Sequence, residues 1–303
     1  MTLLVLGSSG QLARHLRRQL PEAEYWGRAT LDLGVPASIE GAIVELAPAA
    51  IVNAAAYTNV DRAESEPDLA WRLNAEAPAA IARAAARLGA PLVHFSTDYV
   101  FDGTAAHAYR TTDPVRPLNV YGASKAAGDL AVATLCRAHW ILRTSWVFSE
   151  YGANFVKKVL TLAHDRKVLR VVNDQHGIPT YADDLARVAA ALVGPRTARQ
   201  ALPFGVHNAV GGETTTWYLY AREILTAAAS LGLIDELPDV VPVSTAEYPT
   251  AARRPRNSVL FSSPEIDEFT GVRADWRVGL NAALRNMSPA AAIHTPMDTR
   301  RLR

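Results

Sequence analysis

A parallel α/β sheet wound with helices on both faces is indicated by the first half of the chain. Short apolar runs alternate there with Ala- and Leu-rich segments of helical length: "LLVL" then Gly10 to Leu20, "AIVNAA" (50–55) then Asp68 to Leu88, "PLVHFS" (91–96), and "AHWILRTS" (138–145). The runs at 50 and 91 are apolar throughout instead of alternating, as central strands covered on both sides require. A glycine turn directly follows the first run, which sets a strand-to-helix junction close to the N-terminus.

The 303 residues are 49% hydrophobic and 20% charged, enough for an ordinary core in two lobes without disulfide staples. Thirty-one Lys and Arg against 30 Asp and Glu leave a net charge of +1. That balance lacks the broad cationic face nucleic acid or an anionic membrane needs, so a small soluble ligand is expected. Cys136 is the single cysteine, which excludes an intrachain disulfide and fits a reducing cytoplasm. The opening "MTLLVL" has no basic stretch before its apolar run and reads as a buried strand, and no later run approaches the ~20 apolar residues of a membrane span.

"VLGSSGQLARHL" sets Gly7 and Gly10 between the first strand and the first helix, where backbone N–H groups can approach a diphosphate at the positive helix end. Ala13 takes the third small position of the pattern, so the sheet is expected to be Rossmann-like. The second strand, "EAEYWGR", ends in Gly27 and Arg28 where an NAD site would carry an acidic residue. Arg28 can pair with a 2′-phosphate, which favours NADPH, with NADH as the alternative donor. Asp32 and Leu33 follow closely and are expected to border the adenine.

Tyr121 and Lys125 lie four residues apart in "NVYGASKAAGDLA", a helical spacing that puts both on one face. Ten Tyr and four Lys in a chain of this length give roughly 0.13 accidental pairs at that spacing. The chain uses Arg 27 times and Lys only four, so a Lys here suggests a need for a compact ammonium with three donors. An ammonium and a nicotinamide charge beside a phenol should favour phenolate and bring Tyr121 toward the working range of a general acid. "HFSTDYVFDG" adds Ser96 and Thr97 at the end of a central strand, with Asp98 and Tyr99 opening the loop above it, where open α/β sheets bind ligands.

After about Val147 the rhythm changes. A Pro-marked turn, a helix capped near Thr180 or Asp183, one more strand at "GVHNAVGG" and an amphipathic helix at "ETTTWYLYAREILTAAASLG" are expected. The Pro- and Arg-rich stretch from 239 reads as weakly periodic loop, and residues 288–303 as a tail. The domain expectation is therefore residues 1–148 with 181–210 for the dinucleotide, and 149–180 with 211–303 as a smaller substrate-binding lobe with the tail. No spacing among the eight His and one Cys suggests a transition-metal site, and His176 and His207 read as polar structural residues.

Taken together, "GSSGQLA" (7–13), "NAAAYTNVDRAESEP" (53–67), "STDYVFDG" (96–103), "NVYGASK" (119–125), "RTSWVF" (143–148), "GANF" (152–155), "DQHGIPTYADDLA" (174–186) and "RPRNSVL" (254–260) resemble the extended short-chain dehydrogenases/reductases, and within them the dTDP-4-dehydrorhamnose reductase family. The resemblance implies hydride transfer from NADPH or NADH to the C4 ketone of dTDP-4-dehydro-6-deoxy-L-mannose. It implies Tyr121 as proton donor, Lys125 as its partner and ribose ligand, and Thr97 as the hydroxyl tuning the site. Gly10, Gln11, Leu12, Asp32, Leu33, Ala55, Ala56, Tyr57 and Thr58 are implied cofactor contacts. Asp98, Tyr99 and Trp146 are implied sugar contacts, with Asn154, Phe155 and Arg256 facing the nucleotide diphosphate.

Phe261 stands where the family usually carries Asp, and the acidic C-terminal stretch of its Mg²⁺-linked dimers is not recognisable, so no metal is expected and the chain is read as a monomer or homodimer. Two other readings are a 4-ketoreductase for another dTDP-deoxysugar and a non-catalytic regulatory subunit. Intact Thr97, Tyr121 and Lys125 weigh against the last.

Overall fold

Leu4 and Leu6 point to one side of the first strand and Val5 to the other, and all three are buried, so this strand is covered on both faces. In the computed structural model, which describes residues 2–194 and 202–287, it is the strand β1 (Leu3–Leu6). It is joined by β2 (Glu24–Trp26), β3 (Ala50–Asn53), β4 (Leu92–Thr97) and β5 (His139–Thr144). The tail expected after residue 287 lies outside the described residues.

Helices α1 (Gln11–Gln19), α2 (Pro36–Leu46), α3 (Val60–Ala63), α4 (Pro67–Trp71), α5 (Ala77–Leu88) and α6 (Val120–Leu135) connect these strands. The second half adds β6 (Val147–Phe148), α7 (Phe155–Asp165), β7 (Val168–Val172), β8 (His176–Gly177), β9 (Thr180–Tyr181), α8 (Ala182–Val193), β10 (Gly205–Asn208), β11 (Thr215–Thr216), α9 (Trp217–Ser230), β12 (Asp239–Val243), α10 (Pro264–Thr270) and α11 (Trp276–Arg285).

Six strands form one sheet in the order β10-β5-β4-β3-β1-β2, every pair parallel. The chain reverses its winding direction between β1 and β3, so a crevice opens at their carboxyl ends. One face is closed by Leu16, Leu185 and Leu192 against Val5, Val52, Val93 and Leu142. The other is closed by Ile39, Ile43, Ile81 and Val132 against Leu4, Leu6, Ile51 and Ile141. Each fully buried Leu or Ile contributes about 1.5–3 kcal/mol, and together they fix the strand register that carries the site.

The helix expected over 68–88 is interrupted. A π-turn at Arg72–Glu76 joins α4 to α5, and Asn74 within it is buried. Its side chain accepts from Tyr57 N–H at 2.9 Å and donates to Tyr57 O and Ser124 Oγ, both at 3.0 Å. The π-turn therefore braces the loop after β3 against α6.

The second body packs α7, α9 and α11 around Tyr220, Trp276, Phe148 and Leu280. Two expectations are corrected here. Helix α8 begins at Ala182 with Tyr181 as its N-cap residue, without a side-chain cap, and not at Thr180 or Asp183. Residues 239–243, read as loop, form β12, paired in parallel with β7. Pro242 hid that strand from the sequence. It is tolerated because β12 has only one partner strand, leaving one edge that needs no donor.

Candidate active site

The carboxyl ends of the central strands open into a cleft of about 760 Å³. At one end lies the glycine turn. Gly7 sits at φ +106°, and a Cβ there would press on the Ala54 backbone at 3.3 Å, so only glycine allows β1 and the loop after β3 to close up. Gly10 precedes α1 without any side-chain cap, which leaves the first-turn N–H groups of a nine-residue helix free to meet an anion. Gln11, Leu12, Ala55, Ala56 and Thr58 line the adjoining wall.

Farther along the same cleft lie Arg28, Asp32 and Leu33. Arg28 Nε is 3.5 Å from Asp32 Oδ2, and its side chain is 86% exposed, so it is free to turn toward an added phosphate. Asp32 Oδ1 in turn accepts from Gly34 N–H at 2.8 Å. An uncapped helix end, a glycine turn and an exposed Arg spread along one elongated cleft fit the diphosphate and 2′-phosphate of NADPH.

At the other end Tyr121, Lys125, Thr97, Asp98 and Tyr99 share the cleft. Their convergence has a local cause. Asn119 caps α6 by accepting from Gly122 N–H at 2.7 Å. A Cβ on Gly122 would lie 2.1 Å from Tyr99 O, and one on Gly128 2.0 Å from Asn74 O. Gly122 thus lets α6 settle onto the loop after β4, which brings Tyr121 beside Thr97, and Gly128 lets the same helix settle onto the π-turn.

The Lys125 ammonium is 1% exposed and donates to Phe95 O at 2.6 Å. Burial pulls its pKa down to about 8, with Asp129 opposing. Burial pushes Asp98 up to about 7. Tyr121 differs from expectation: burial, with Asp98 and Asp129 adding, pushes it up to about 12. Desolvation and the two carboxylates outweigh the hydrogen bond from Thr97, which acts the other way. The protonated phenol that results is the form a proton donor requires.

Trp146 lines the cleft at φ +46°, its indole stacked on Trp217 with ring centroids 3.5 Å apart. Gly177 lies behind it, where a Cβ would meet the indole at 2.4 Å. Asn154 caps α7 and also donates to Gln11 Oε1 at 2.8 Å, joining the second body to the cofactor-side helix.

Three expected contacts are not brought to the cleft wall. The Tyr57 hydroxyl turns away to donate to Glu66 at 2.8 Å. The Phe155 ring packs on Trp217, centroids 4.5 Å apart, and on Tyr220. Arg256 is exposed outside the cleft, and its backbone carbonyl accepts from His176 N–H. From the same basic stretch it is Arg254 that reaches inward, to Asp61 and toward Tyr99.

Sequence reasoning missed His94, Asp129 and Trp217. His94 is a titratable residue inside an apolar central strand, and Asp129 stands one helical turn beyond Lys125; both are readable signals. Trp217 gave none, since its place beside Trp146 depends on how the two bodies meet.

The RmlD substrate binding domain family matches residues 1–288. The chain belongs to that family. It is 40% identical to the dTDP-4-dehydrorhamnose reductase of Salmonella typhimurium, over 97% of this chain and the whole of the relative. It is 42% identical to that of Sinorhizobium fredii, over 90% and 93% of the two chains. Family members of known structure include the dTDP-4-dehydrorhamnose reductase from Clostridium acetobutylicum, with a TM-score of 0.85 at 33% identity over 94% of this chain and 99% of that one. The enzyme from Bacillus anthracis, in complex with NADP, gives 0.84 at 32% identity over the same shares. The expected resemblance and the Rossmann-like parallel sheet both hold. No described helix is long and apolar enough to cross a membrane.

Proposed function

We propose that this chain reduces the C4 ketone of dTDP-4-dehydro-6-deoxy-L-mannose with NADPH, yielding dTDP-L-rhamnose. The observation that carries the reading is the meeting of Tyr121, Lys125 and Thr97 in the same cleft as the glycine turn of β1 and α1. Full-length similarity to dTDP-4-dehydrorhamnose reductases, one of them in complex with NADP, supports it.

Bound NADPH supplies the hydride. The residues of this chain do the rest. The Tyr121 hydroxyl donates its proton to the carbonyl oxygen as C4 becomes an alcohol carbon, and Thr97 Oγ1 orients both oxygens. Lys125 holds the nicotinamide ribose and keeps the phenol in place. Gly7, Gly10, Gln11 and Leu12 cradle the diphosphate, Arg28 the 2′-phosphate, Asp32 and Leu33 the adenine side, and Ala55, Ala56 and Thr58 the wall between. Asp98, half-protonated near neutral pH, offers a donor to the sugar beside Tyr99 and Trp146. Asn154 positions the loop at the dTDP diphosphate.

We assign the cofactor to residues 1–148 with 181–210, and the sugar nucleotide to 149–180 with 211–303. A cytoplasmic site of action accords with a lone, buried Cys136.

The test is a panel of dTDP-4-keto-6-deoxy sugars offered with NADPH or NADH, reading cofactor oxidation and product configuration at C4. Turnover of the L-lyxo ketone to the L-rhamno product with NADPH is expected. Selective turnover of a different ketosugar would transfer the assignment to another 4-ketoreductase, and no turnover of any would refute it.

A further inference from the structure

His94 is 0% exposed, yet it sits in the middle of a central strand one residue before the carbonyl that holds Lys125. Its Nε2 is 3.3 Å from Lys125 Nζ, and its Nδ1 is 3.0 Å from the Asn53 side-chain amide. Asn53 is also buried and closes β3. Three side chains therefore run in line from the catalytic ammonium into the sheet.

We propose that His94, backed by Asn53, is a positioning residue for Lys125 that supplies a matched hydrogen-bond partner in both of its protonation states. This inference rests on the reductase reading above. Ammonium needs an acceptor, so His94 then presents the Nε2 lone pair and donates Nδ1–H to the amide oxygen of Asn53, whose amide turns over and gives up its 3.3 Å contact with Ala55 N–H. A free amine offers a lone pair, so His94 then presents Nε2–H and accepts at Nδ1 from the Asn53 amide nitrogen. In the orientation described, Asn53 Oδ1 accepts from Ala55 N–H at 3.3 Å and Nδ2 faces His94, which corresponds to the second state. Imidazole and carboxamide both carry a donor and an acceptor, and this pair has both types back to back. A neutral amine keeps N–H donors for Phe95 O but gains a lone pair, and a neighbour able only to accept would leave that lone pair unpaired, at a cost of about 1–3 kcal/mol.

The surrounding groups leave this task to His94. Asp129 and Tyr121 lie on the helix of Lys125, and His139 and Arg143 on β5. Asp129 Oδ2 is occupied by Ser96 Oγ at 2.7 Å and Arg143 Nε at 3.5 Å, and its Oδ1 stands 3.8 Å from His94 Nε2. Burial, with Lys125 and His139 adding, holds His94 well below its ordinary value, so the imidazole stays neutral and able to switch tautomer.

The chain has only four lysines, Lys125, Lys157, Lys158 and Lys167, so lysine-labelled protein gives a spectrum in which Lys125 is identified by its loss in Lys125→Met. The NMR titration of Lys125 is read without substrate, independently of whether the sugar assignment holds. In protein carrying 15N-labelled imidazoles, with His94 identified by its loss in His94→Gln, the His94 ring is expected to pass from the Nδ1–H to the Nε2–H tautomer over the same pH range in which Lys125 loses its proton. Asn53→Asp, whose carboxylate only accepts, is expected to hold His94 as the Nδ1–H tautomer throughout. A merely structural imidazole would keep one tautomer across the Lys125 titration. A single His94 tautomer on both sides of that midpoint overturns the proposal, and so does an Nε2–H tautomer that persists in Asn53→Asp.

Discussion

Arg254 grips Asp61 with both arms of its guanidinium, Nη2 to Oδ2 at 2.8 Å and Nη1 to Oδ1 at 3.1 Å. Asp61 stands on α3 beside the loop after β3, whereas Arg254 lies eleven residues beyond the end of β12, so one planar fork ties the loop after β3 to the C-terminal stretch. Burial alone would raise Asp61, but Arg254 and the Ala252 N–H outweigh it and hold the carboxyl below its ordinary value. Both side chains are partly exposed, 19% and 34%, so the loss in Arg254→Ala is set at about 1–2 kcal/mol, less than for a fully buried pair. Arg254→Lys, which keeps the charge and loses the fork, should recover less than half of it. Urea denaturation midpoints check both.

Tyr121→Phe removes the hydroxyl proposed as proton donor and leaves the ring. Turnover is expected to fall at least ~10²-fold while NADPH affinity stays within about twofold. Steady-state kinetics beside a direct cofactor titration separate the two quantities.

Among the described residues Arg28 pairs only with Asp32, so Arg28→Ala should leave stability unchanged and act on cofactor choice alone. The ratio of kcat/KM for NADPH over NADH is expected to fall by about tenfold or more, the scale of one charge-assisted phosphate contact. An unaltered ratio would mean that Arg28 serves no 2′-phosphate.

Gly177 gives the Trp146 indole its room. A methyl at 2.4 Å from that ring must shift an indole that is stacked on Trp217 and lines the cleft. Gly177→Ala is expected to lower kcat/KM for the sugar nucleotide by roughly ten- to a hundredfold, with cofactor affinity intact. The same pair of titrations distinguishes this outcome from general unfolding.

His15 is buried on α1 between Asp183, 3.1 Å from Nδ1, and Glu150, 3.4 Å from Nε2. Burial disfavours its charge, but the two carboxylates outweigh burial and raise its pKa above 6.5. A group raised in the folded state stabilises most below its unfolded value and loses that stabilisation as pH climbs through the folded value. Melting temperature should therefore decline as pH climbs above about 6.5, and the decline should flatten in His15→Gln. Parallel pH dependences in the two proteins would contradict the assignment.

Much of this was legible in the chain itself. Apolar runs at 50 and 91 named two central strands, because a strand covered on both faces has no polar side to show. The helical spacing of Tyr121 and Lys125, and the glycines after β1, gave the two ends of the cleft for similarly local reasons. Pro242 concealed β12, since a residue without an N–H reads as loop until its edge position is known. Tyr57 and Phe155 lie within recognisable motifs, but where a ring points depends on Glu66, nine residues on from Tyr57, and on Trp217, 62 residues on from Phe155.

What the sequence alone determined is therefore the wound sheet, the glycine turn and the one-face pairing of Tyr121 with Lys125, all written in periodicities of two and 3.6 that need only nearby residues. Tertiary structure alone decided the charge states. Tyr121 is kept protonated and Lys125 drawn toward neutrality because α6 is packed tightly enough to exclude water and brings Asp98, Asp129 and His94 around them. Desolvation is a property of the assembled interior, and no single segment carries it.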